Sequence, residues 1–333
     1  MVSHPYEALT PDRVQDALDQ VGLRGDGRLL ALSSYENRVY LVHLEEVHQG
    51  CDAVVLKFYR PGRWSEDQIL EEHALARELA AAEVPMVAPL ALGGATLHRF
   101  GGFDFSVSPR RGGRAPELDD AEVLEWIGRF LARIHSVGAA RPFDVRPALD
   151  AQTFAIEPRD WLLAHRAIPL DVEAAWRDAC EAAIAKIAER LAAGPGGFAF
   201  QRLRLHGDCH PGNILWTPDA GPHFVDLDDA RTGPAVQDLW MLLSGERAQR
   251  QRQLGALLDG YEQFRDFDRR ELALIEPLRT LRLIHYSAWL ARRWDDPAFP
   301  RAFPWFGSSD YWKGQVQMLE EQLEAMDEPV LIV

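Results

Sequence analysis

The sequence has no uninterrupted apolar run of the roughly eighteen residues that a membrane-spanning helix needs, and no basic N-terminal flank ahead of an apolar stretch. We therefore expect neither membrane insertion nor export. Cysteine is also scarce, because only Cys51, Cys180 and Cys209 occur in 333 residues. An odd number of widely spaced cysteines fits neither a disulfide framework nor a zinc ribbon. This usage favours a reduced, cytoplasmic protein.

Positive charge is in short supply as well. The 36 lysines and arginines are outnumbered by 51 aspartates and glutamates, which gives a formal charge of −15. Nucleic acids and anionic membranes repel so acidic a chain when it lacks a basic patch, so we expect neither as a partner. What the chain does have is an ordinary globular composition, with 47% hydrophobic residues. Its length is sufficient for two domains or for one large one.

The first hundred residues predict short strands interrupted by one helix. The segments "NRVYLVHL" and "AVVLKFY" are rich in β-branched and aromatic residues and flank the turn-prone "HQGCD", which predicts an antiparallel pair. A helix is predicted in "WSEDQILEEHALARELAAAEVP", where Ser65 and Gln68 form a capping box and Pro85 marks the end. The segment "ATLHRFGGFDFSVSP" predicts two further strands around a Gly-Gly turn.

The pattern becomes helical after the glycine-rich connector "RRGGRAPE". In "DDAEVLEWIGRFLARIHSVG" the apolar residues have helical spacing, with Asp119 and Glu122 as a capping box and Gly138 as the end. Further helical patterns cover roughly 171–193, 236–262, 271–294 and 310–326. We therefore expect an α+β protein with a small β-rich lobe over 1–109 and a larger, mostly helical lobe over 110–333.

The segment "LHGDCHPGNILW" concentrates polar side chains in one short stretch. His206 and His210 are four residues apart, a spacing that binds zinc when a helix presents both side chains on one face. Two glycines and a proline within the segment make a helix improbable, and no second His/Cys cluster elsewhere completes a site. A zinc hydrolase is therefore the weaker interpretation.

Phosphoryl transfer makes a different demand, for a carboxylate that orients the attacking hydroxyl, oxygen ligands for Mg²⁺ and a lysine for the phosphates. Asp208 and Asn213 have the D-x-x-x-x-N spacing of a kinase catalytic loop. Asp226 follows an apolar strand, where kinases carry the aspartate of D-F-G. Upstream, Glu72 shares the apolar face of its helix and needs a cation, and strand residue Lys57 is the natural partner.

These segments together resemble the aminoglycoside-phosphotransferase and choline-kinase branch of the protein-kinase-like fold. The resemblance rests on "LHGDCHPGNILW", "FVDLDDARTGPAVQDLW" and "IGRFLARIHS". The longer "VVLKFYRPGRWSEDQILEEH" and "LIEPLRTLRLIHYSAWLARRW" resemble bacterial serine/threonine protein kinases of that branch. The resemblance implies a nucleotide-binding lobe over 1–109 and a catalytic and substrate-binding lobe over 110–333. It also implies ATP, Mg²⁺, a cytoplasmic monomer and a role in surviving envelope or oxidative stress.

The resemblance also assigns roles, residue by residue. Asp208 corresponds to the catalytic base, and Asn213 and Asp226 correspond to the magnesium ligands, Asp226 being part of the catalytic set as well. Lys57 and Glu72 correspond to the pair that anchors the phosphates of ATP.

Ser34, in "LSSYEN", resembles the position that closes over the ATP phosphates. The sequence departs here from ordinary protein kinases, because no G-x-G-x-x-G lies between the first strands; backbone N–H groups of 33–37 could bind phosphate instead. It also lacks an A-P-E segment and a long stretch after Asp226. We therefore expect no switching by activation-loop phosphorylation.

The sequence thus predicts an enzyme that transfers the γ-phosphoryl group of ATP to serine or threonine in proteins. A small-molecule kinase acting on an aminoglycoside, choline-like or amino-alcohol hydroxyl would use the same residues, and the acidic composition does not exclude it. A non-catalytic nucleotide-binding pseudokinase is disfavoured because no member of the catalytic set is missing. The roles of Cys209 and Asp228 stay open.

Overall fold

The computed structural model describes residues 4–191 and 198–333. Residues 1–3 of the first predicted lobe and the last two residues of the helix predicted over 171–193 lie outside the described residues. Within the described ranges, none of the helices combines the length and the apolar character that crossing a bilayer requires.

The N-terminal part is built on a five-stranded antiparallel sheet with strand order β1-β2-β3-β5-β4. Its elements are α1 (Pro11–Gln20), β1 (Gly25–Leu32), β2 (Arg38–His48), β3 (Cys51–Phe58), α2 (Glu66–Ala81), β4 (His98–Phe100) and β5 (Phe103–Pro109). The two predicted strand pairs are both present. Lys57 lies in the central strand, opposite Val39 of β2 and Ser106 of β5.

Helix α2 begins at the predicted capping box. The Ser65 hydroxyl accepts a hydrogen bond from the Gln68 N–H (3.2 Å), and the Gln68 side chain accepts one from the Ser65 N–H (3.0 Å). The helix ends at Ala81, four residues before Pro85, so proline follows the stop rather than causing it. Helix α1 and strand β1 complete this part. The prediction of a single helix among the first hundred residues is therefore wrong, because Thr10 caps a second helix that begins at Pro11 and buries Val14 and Leu18.

The remaining part is mostly helical. Its elements are α3 (Ala121–Gly138), α4 (Glu157–Ala164), α5 (Leu170–Leu191), β6 (Leu203–Leu205), β7 (Ile214–Thr217), β8 (Gly221–Phe224), β9 (Arg231–Gly233), α6 (Gln237–Trp240), α7 (Arg247–Tyr261), α8 (Ile275–Arg292), α9 (Ala298–Ala302) and α10 (Ser309–Ala325). The helix predicted over 236–262 is broken into α6 and α7 at Gly245, whose φ of +75° is left-handed.

One predicted cap is wrong by one residue. Helix α3 is capped by Asp120, whose carboxylate accepts hydrogen bonds from the N–H groups of Glu122 (2.9 Å) and Val123 (3.4 Å). Asp120 immediately precedes the first helical residue, where a side chain reaches the free N–H groups of the first turn. Asp119, the predicted cap, accepts a hydrogen bond from Gln249 instead. The predicted end at Gly138 is confirmed.

Two hydrophobic cores hold the chain together. The smaller core lies between α1 and the sheet. Its buried residues begin with Tyr6 and end with Val107 in the chain. The larger fills the helical part, and Leu75 and Leu79 of α2 belong to it. Helix α2 therefore packs with the helical part, although it lies between β3 and β4 in the chain. This packing fixes Glu72, on the same helix, relative to the loop that contains Asp208.

Helices α3 and α7 approach each other so closely that glycine is required at their contact. A Cβ atom at Gly260 would lie 2.0 Å from the Glu125 carbonyl oxygen. We expect Gly260→Ala to lower the free energy of unfolding by about 1–3 kcal/mol, because the backbones must separate. Gly255 of the same helix has open space around it, so Gly255→Ala should raise that free energy by about 0.5–1 kcal/mol. Urea unfolding of both variants tests the contrast, and equal effects would contradict it.

Candidate active site

A cleft of about 790 Å³ lies where the sheet meets the helical part. Five of the six residues predicted for the site line it: Ser34, Lys57, Asp208, Asn213 and Asp226. The sixth, Glu72, is buried directly behind Lys57. The structure therefore brings together residues that are far apart in the chain.

Lys57 is surrounded by three carboxylates. Its Nζ lies 3.2 Å from Glu72 Oε1, 2.9 Å from Asp226 Oδ1 and 3.1 Å from Asp228 Oδ1. Burial alone would lower the pKa of Lys57, but the three carboxylates outweigh burial and raise the pKa well above its ordinary value. The ammonium group therefore stays charged at the floor of the cleft, where it can meet an anion.

Glu72 contacts a second cation that the sequence did not reveal. Arg146 Nη1 lies 3.3 Å from Glu72 Oε2, and the same guanidinium donates to the carbonyl oxygens of Gln68 (2.9 Å) and Ala230 (2.7 Å). Burial raises the pKa of Glu72, an effect that Lys57 and Arg146 oppose. Arg146 thereby fastens α2 to the chain beyond Asp226. It lies in an irregular segment whose local pattern gives no sign of this contact.

The loop that carries Asp208 is shaped by backbone contacts. Gly207 has φ +84°, and a Cβ atom there would lie 2.2 Å from the Asp229 carbonyl oxygen. Asn213 donates from Nδ2 to the Asp208 carbonyl oxygen (2.9 Å), which closes the loop. Beneath it, the carboxylate of Asp238 accepts hydrogen bonds from the N–H groups of His206 and Gly207, both 2.8 Å.

The two histidines of this loop are engaged with the backbone. His206 Nε2 lies 2.9 Å from the Val225 carbonyl oxygen, and His210 Nδ1 accepts from the Gly212 N–H at 2.9 Å. Burial lowers the pKa of His210, which favours the neutral ring. Residues 4–191 and 198–333 contain no group of three or more His, Cys, Asp or Glu side chains placed to bind one metal ion. The histidines act as structural residues of the loop.

Cys209, next to Asp208, is fully buried in the larger core. Burial, together with Asp238 and Asp208, raises the pKa of its thiol well above the ordinary value. A protonated, inaccessible thiol is a poor nucleophile. Its position favours packing over a redox role.

The carboxylate of Asp208 has two unlike oxygens. Oδ2 faces Asn213 Nδ2 at 3.4 Å and His210 Nε2 at 3.5 Å. Oδ1 lies 2.7 Å from Arg282 Nη1, yet it accepts no well-directed hydrogen bond from any described residue although it is buried. One oxygen is thus held by the loop, and the other has hydrogen-bonding capacity to spare.

Asn213 and Asp226 offer oxygen atoms to the cleft. The amide nitrogen of Asn213 is turned to Asp208, which leaves its oxygen facing away from that residue. Asp226 follows β8 with φ +64°, a left-handed conformation that aspartate adopts more readily than most residues. Its side chain is 47% exposed, the most open of the site carboxylates paired with Lys57. An amide oxygen and a carboxylate suit Mg²⁺ better than a softer metal.

Asp228 belongs to a buried ion-pair cluster. Arg63 contacts Asp228 and lies 2.8 Å from Asp229 Oδ1. Burial would raise the pKa of Asp228, but Arg63 and Lys57 outweigh it and lower the pKa to about 2. With both oxygens next to cations and only 4% of the residue exposed, Asp228 fits a structural role better than metal binding.

The loop containing Ser34 is held by side chains from both parts of the chain. Arg60 donates from Nε to the Glu36 carbonyl oxygen (2.9 Å), and its Nη2 lies 2.8 Å from Asp296 Oδ2. The centroids of the Tyr35 and Phe303 rings lie 4.9 Å apart. The aromatic-rich segment before α10 thus fastens the loop between β1 and β2. These contacts take the place of a glycine-rich motif in fixing the loop's shape.

Comparison with known proteins gives a consistent answer. Residues 28–275 match the family described as the phosphotransferase enzyme family. The sequence is 47% identical to stress response kinase A of Escherichia coli (strain K12) over 98% of this chain and 96% of that protein. It is 45% identical to a serine/threonine protein kinase of Salmonella typhimurium (strain LT2), again over 98% and 96%.

Solved structures show the same fold at low sequence identity. A microcompartment-associated aminopropanol kinase superposes with a TM-score of 0.70 at 19% identity, covering 94% of this chain and 97% of its own. Amicoumacin kinase, solved with AMP-PNP and Ca²⁺, gives 0.68 at 18% identity over 91% and 89%. A choline kinase from Cryptosporidium parvum gives 0.59 at 11% identity over 90% and 89%. The predicted protein-kinase-like fold is confirmed.

Proposed function

As the chain belongs to the phosphotransferase enzyme family, we propose that it is an ATP- and Mg²⁺-dependent kinase that phosphorylates serine or threonine in proteins. The observation that carries the proposal is the similarity over nearly the full length to relatives named stress response kinase A and serine/threonine protein kinase. The name of the first relative also supports a role in a bacterial stress response. That the enzyme is a cytoplasmic monomer is a further part of the proposal.

The proposed division of labour follows the two parts of the fold. Residues 1–109 would bind the nucleotide, with Lys57 held by Glu72 against the phosphates and the Ser34 loop above them. Residues 110–333 would supply the catalytic loop and the acceptor site. Asn213 and Asp226 would hold Mg²⁺, which when bound neutralises charge on the phosphate oxygens.

Asp208 is the proposed catalytic base. The acceptor hydroxyl donates its hydrogen bond to Oδ1, which is the oxygen without a directed partner among the described residues. As the hydroxyl oxygen bonds to the γ-phosphorus, the bond from that phosphorus to the ADP oxygen breaks, and Oδ1 takes the hydroxyl proton. The other oxygen stays with Asn213 and His210, so the carboxylate keeps its orientation throughout.

The direct test is to incubate the protein with γ-labelled ATP, Mg²⁺ and a bacterial lysate. Acid-stable label on serine or threonine of proteins is the expected result, and Asp208→Asn supplies the inactive control. Separate reactions with an aminoglycoside, choline and an amino alcohol measure the competing activity. Label that enters only the small molecules would refute the protein-kinase proposal while leaving the family assignment intact.

Asp226→Asn should remove most of the effect of Mg²⁺ on ATP binding. Loss of a charged ligand is worth about 1.5–3 kcal/mol, so the Mg²⁺-dependent gain in ATP affinity should fall by about 10- to 100-fold. Calorimetric titration of ATP with and without Mg²⁺ measures this gain. The comparison cancels the separate effect of releasing Lys57 from its contact with Asp226.

The matched control is Asp219→Asn, an exposed aspartate between β7 and β8. It should leave the Mg²⁺-dependent gain in ATP affinity as it is in the native protein. An unchanged gain in Asp226→Asn would show that another residue holds the metal.

A further inference from the structure

We propose that Arg282 determines acceptor specificity, an inference that rests on the proposed protein-kinase function. In this proposal Arg282 binds a negatively charged group, a carboxylate or a phosphate, on the substrate segment beside the serine or threonine that is phosphorylated. The enzyme would therefore prefer acidic acceptor segments.

The acceptor hydroxyl has one suitable oxygen of Asp208 to which it can donate. Asp208 Oδ2 is turned toward Asn213 and His210, whereas Oδ1 is buried in the cleft without a directed hydrogen bond from a described residue. Its close contact among the described residues is the Arg282 guanidinium, and a carboxylate oxygen has two lone pairs, so Oδ1 can accept a further hydrogen bond. The acceptor O–H therefore binds at Oδ1.

Arg282 lies directly beside that oxygen. Its Nη1 lies 2.7 Å from the same Oδ1, so the guanidinium borders the space that the acceptor occupies. Arg282 lies on α8, and Tyr286 and Trp289 line the cleft from the same helix. Its side chain is 41% exposed, which leaves most of its five N–H donors free for another partner. A planar guanidinium is suited to bidentate binding of a carboxylate or phosphate.

The cleft pairs its acidic side chains with basic ones. Every one of its five carboxylates lies within 3.1 Å of a lysine or arginine nitrogen. These carboxylates are Glu36, Asp208, Asp226, Asp228 and Asp229. A cationic acceptor would find no unpaired carboxylate among the described residues.

An anionic acceptor meets the opposite situation. Among the described residues, Arg282 has Asp208 as its one ion-pair partner, and the acceptor hydroxyl competes for that partner. When the acceptor hydroxyl binds Asp208 Oδ1, the ion pair of Arg282 with that oxygen is weakened. An anionic group beside the hydroxyl would give Arg282 a second ion-pair partner. The same arrangement disfavours aminoglycoside-like and choline-like acceptors, which carry positive charge.

The test uses a peptide built on a site that the native enzyme phosphorylates in the lysate experiment. One aspartate is moved through the three positions on either side of the acceptor serine, and each peptide is compared with its asparagine counterpart. A phosphoserine series and a lysine series complete the set. We expect the aspartate-to-asparagine ratio of kcat/KM to reach about tenfold at one or more positions, the effect of one charge-assisted hydrogen bond.

Arg282→Gln should bring this ratio close to one, and Arg282→Glu should reverse the preference toward lysine peptides. Arg292→Gln, on the same helix but away from the cleft, should keep the native ratio. The ratio is independent of any general loss of activity, and thermal unfolding verifies that each variant is folded. The phosphoserine series shows whether a phosphate serves as well as a carboxylate.

Two outcomes overturn the inference. The native enzyme could show no preference for aspartate, or Arg282→Gln could keep the native ratio. If Arg282→Gln keeps the ratio but lowers kcat/KM equally for all peptides, Arg282 acts on the transferred phosphoryl group. Failure to label any protein in the lysate is a different result, since it refutes the protein-kinase function itself.

Discussion

Asp208→Asn should lower kcat by about 10²- to 10⁴-fold, the range that general base catalysis contributes. Asparagine keeps the size of the side chain and can still bond to Asn213, but its amide cannot take the proton of the acceptor hydroxyl. The affinity for ATP should stay near the native value, because Asp208 faces the acceptor rather than Lys57. Steady-state assays with saturating ATP measure kcat, and calorimetry measures ATP binding.

Asp219→Asn is the matched control for this prediction too, since it makes the same chemical change outside the cleft. It should keep native turnover. Thermal unfolding should give nearly the native midpoint for both variants. More than a tenth of native turnover in Asp208→Asn would contradict the assignment of the base. A loss of ATP binding would instead place Asp208 with the nucleotide.

The parts of the site that the sequence predicted are those encoded by local spacing. Asp208 and Asn213 lie five residues apart in one tight loop, and Asp226 follows the strand that pairs with β7. Glu72 was predicted from helical periodicity alone, because a carboxylate on an apolar face needs a cation. Lys57 in β3 is that cation, and its Nζ lies 3.2 Å from Glu72 Oε1. Each of these predictions depends on the spacing of residues within a single loop, strand or helix.

The contacts that the sequence did not predict join residues distant in the chain. Arg60 and Asp296 are 236 residues apart, and Arg146 reaches the carbonyl oxygen of Ala230 across 84. Arginine occurs throughout the sequence, and no local pattern selects which one pairs with a given carboxylate. Only the packing of the folded chain decides these partners. For the same reason Arg282, on α8, could not be connected with Asp208 beforehand.

Errors in element bounds have a more local cause. At α3, two successive aspartates precede the helix, and both have the capacity to cap it. Which one caps is a matter of one residue of register: Asp120 caps α3, and Asp119 accepts a hydrogen bond from Gln249 of α7. The single helix predicted over 236–262 runs across Ser244 and Gly245, but the backbone turns at Gly245, where φ is +75°. The apolar periodicity indicates which face of a helix is buried, but it does not indicate the residue at which the helix begins or ends.

Asp238→Ala should lower the free energy of unfolding by about 3–5 kcal/mol, the cost of breaking a buried charged network. Asp238 is fully buried and accepts from the N–H groups of His206 and Gly207, both at 2.8 Å. His135 Nε2 lies 3.0 Å from the same carboxylate. Alanine would leave these donors buried without an acceptor. Since two of them belong to the catalytic loop, turnover should fall as well.

Urea unfolding at neutral pH measures the loss, with Asp219→Ala as the control that should cost little. Asp238→Asn keeps one acceptor oxygen and should fall between the native protein and Asp238→Ala. A loss below about 1 kcal/mol in Asp238→Ala would contradict the buried-network account, because surface substitutions rarely exceed that value.

The carboxylate of Asp238 should also make the free energy of unfolding fall at acid pH. Burial would raise the pKa of Asp238, but the hydrogen bond and charge of His135, with His206 and the Gly207 N–H, lower it below the ordinary value. Because the folded state holds the pKa below that of the unfolded chain, Asp238 stabilises the fold above the unfolded pKa of about 4. That contribution is lost as the pH falls from there through the folded pKa. Asp238→Asn, which has no carboxyl to titrate, should therefore show a shallower loss of stability between neutral and acid pH than the native protein. Parallel slopes would mean that other carboxylates, such as Asp228, govern the acid sensitivity.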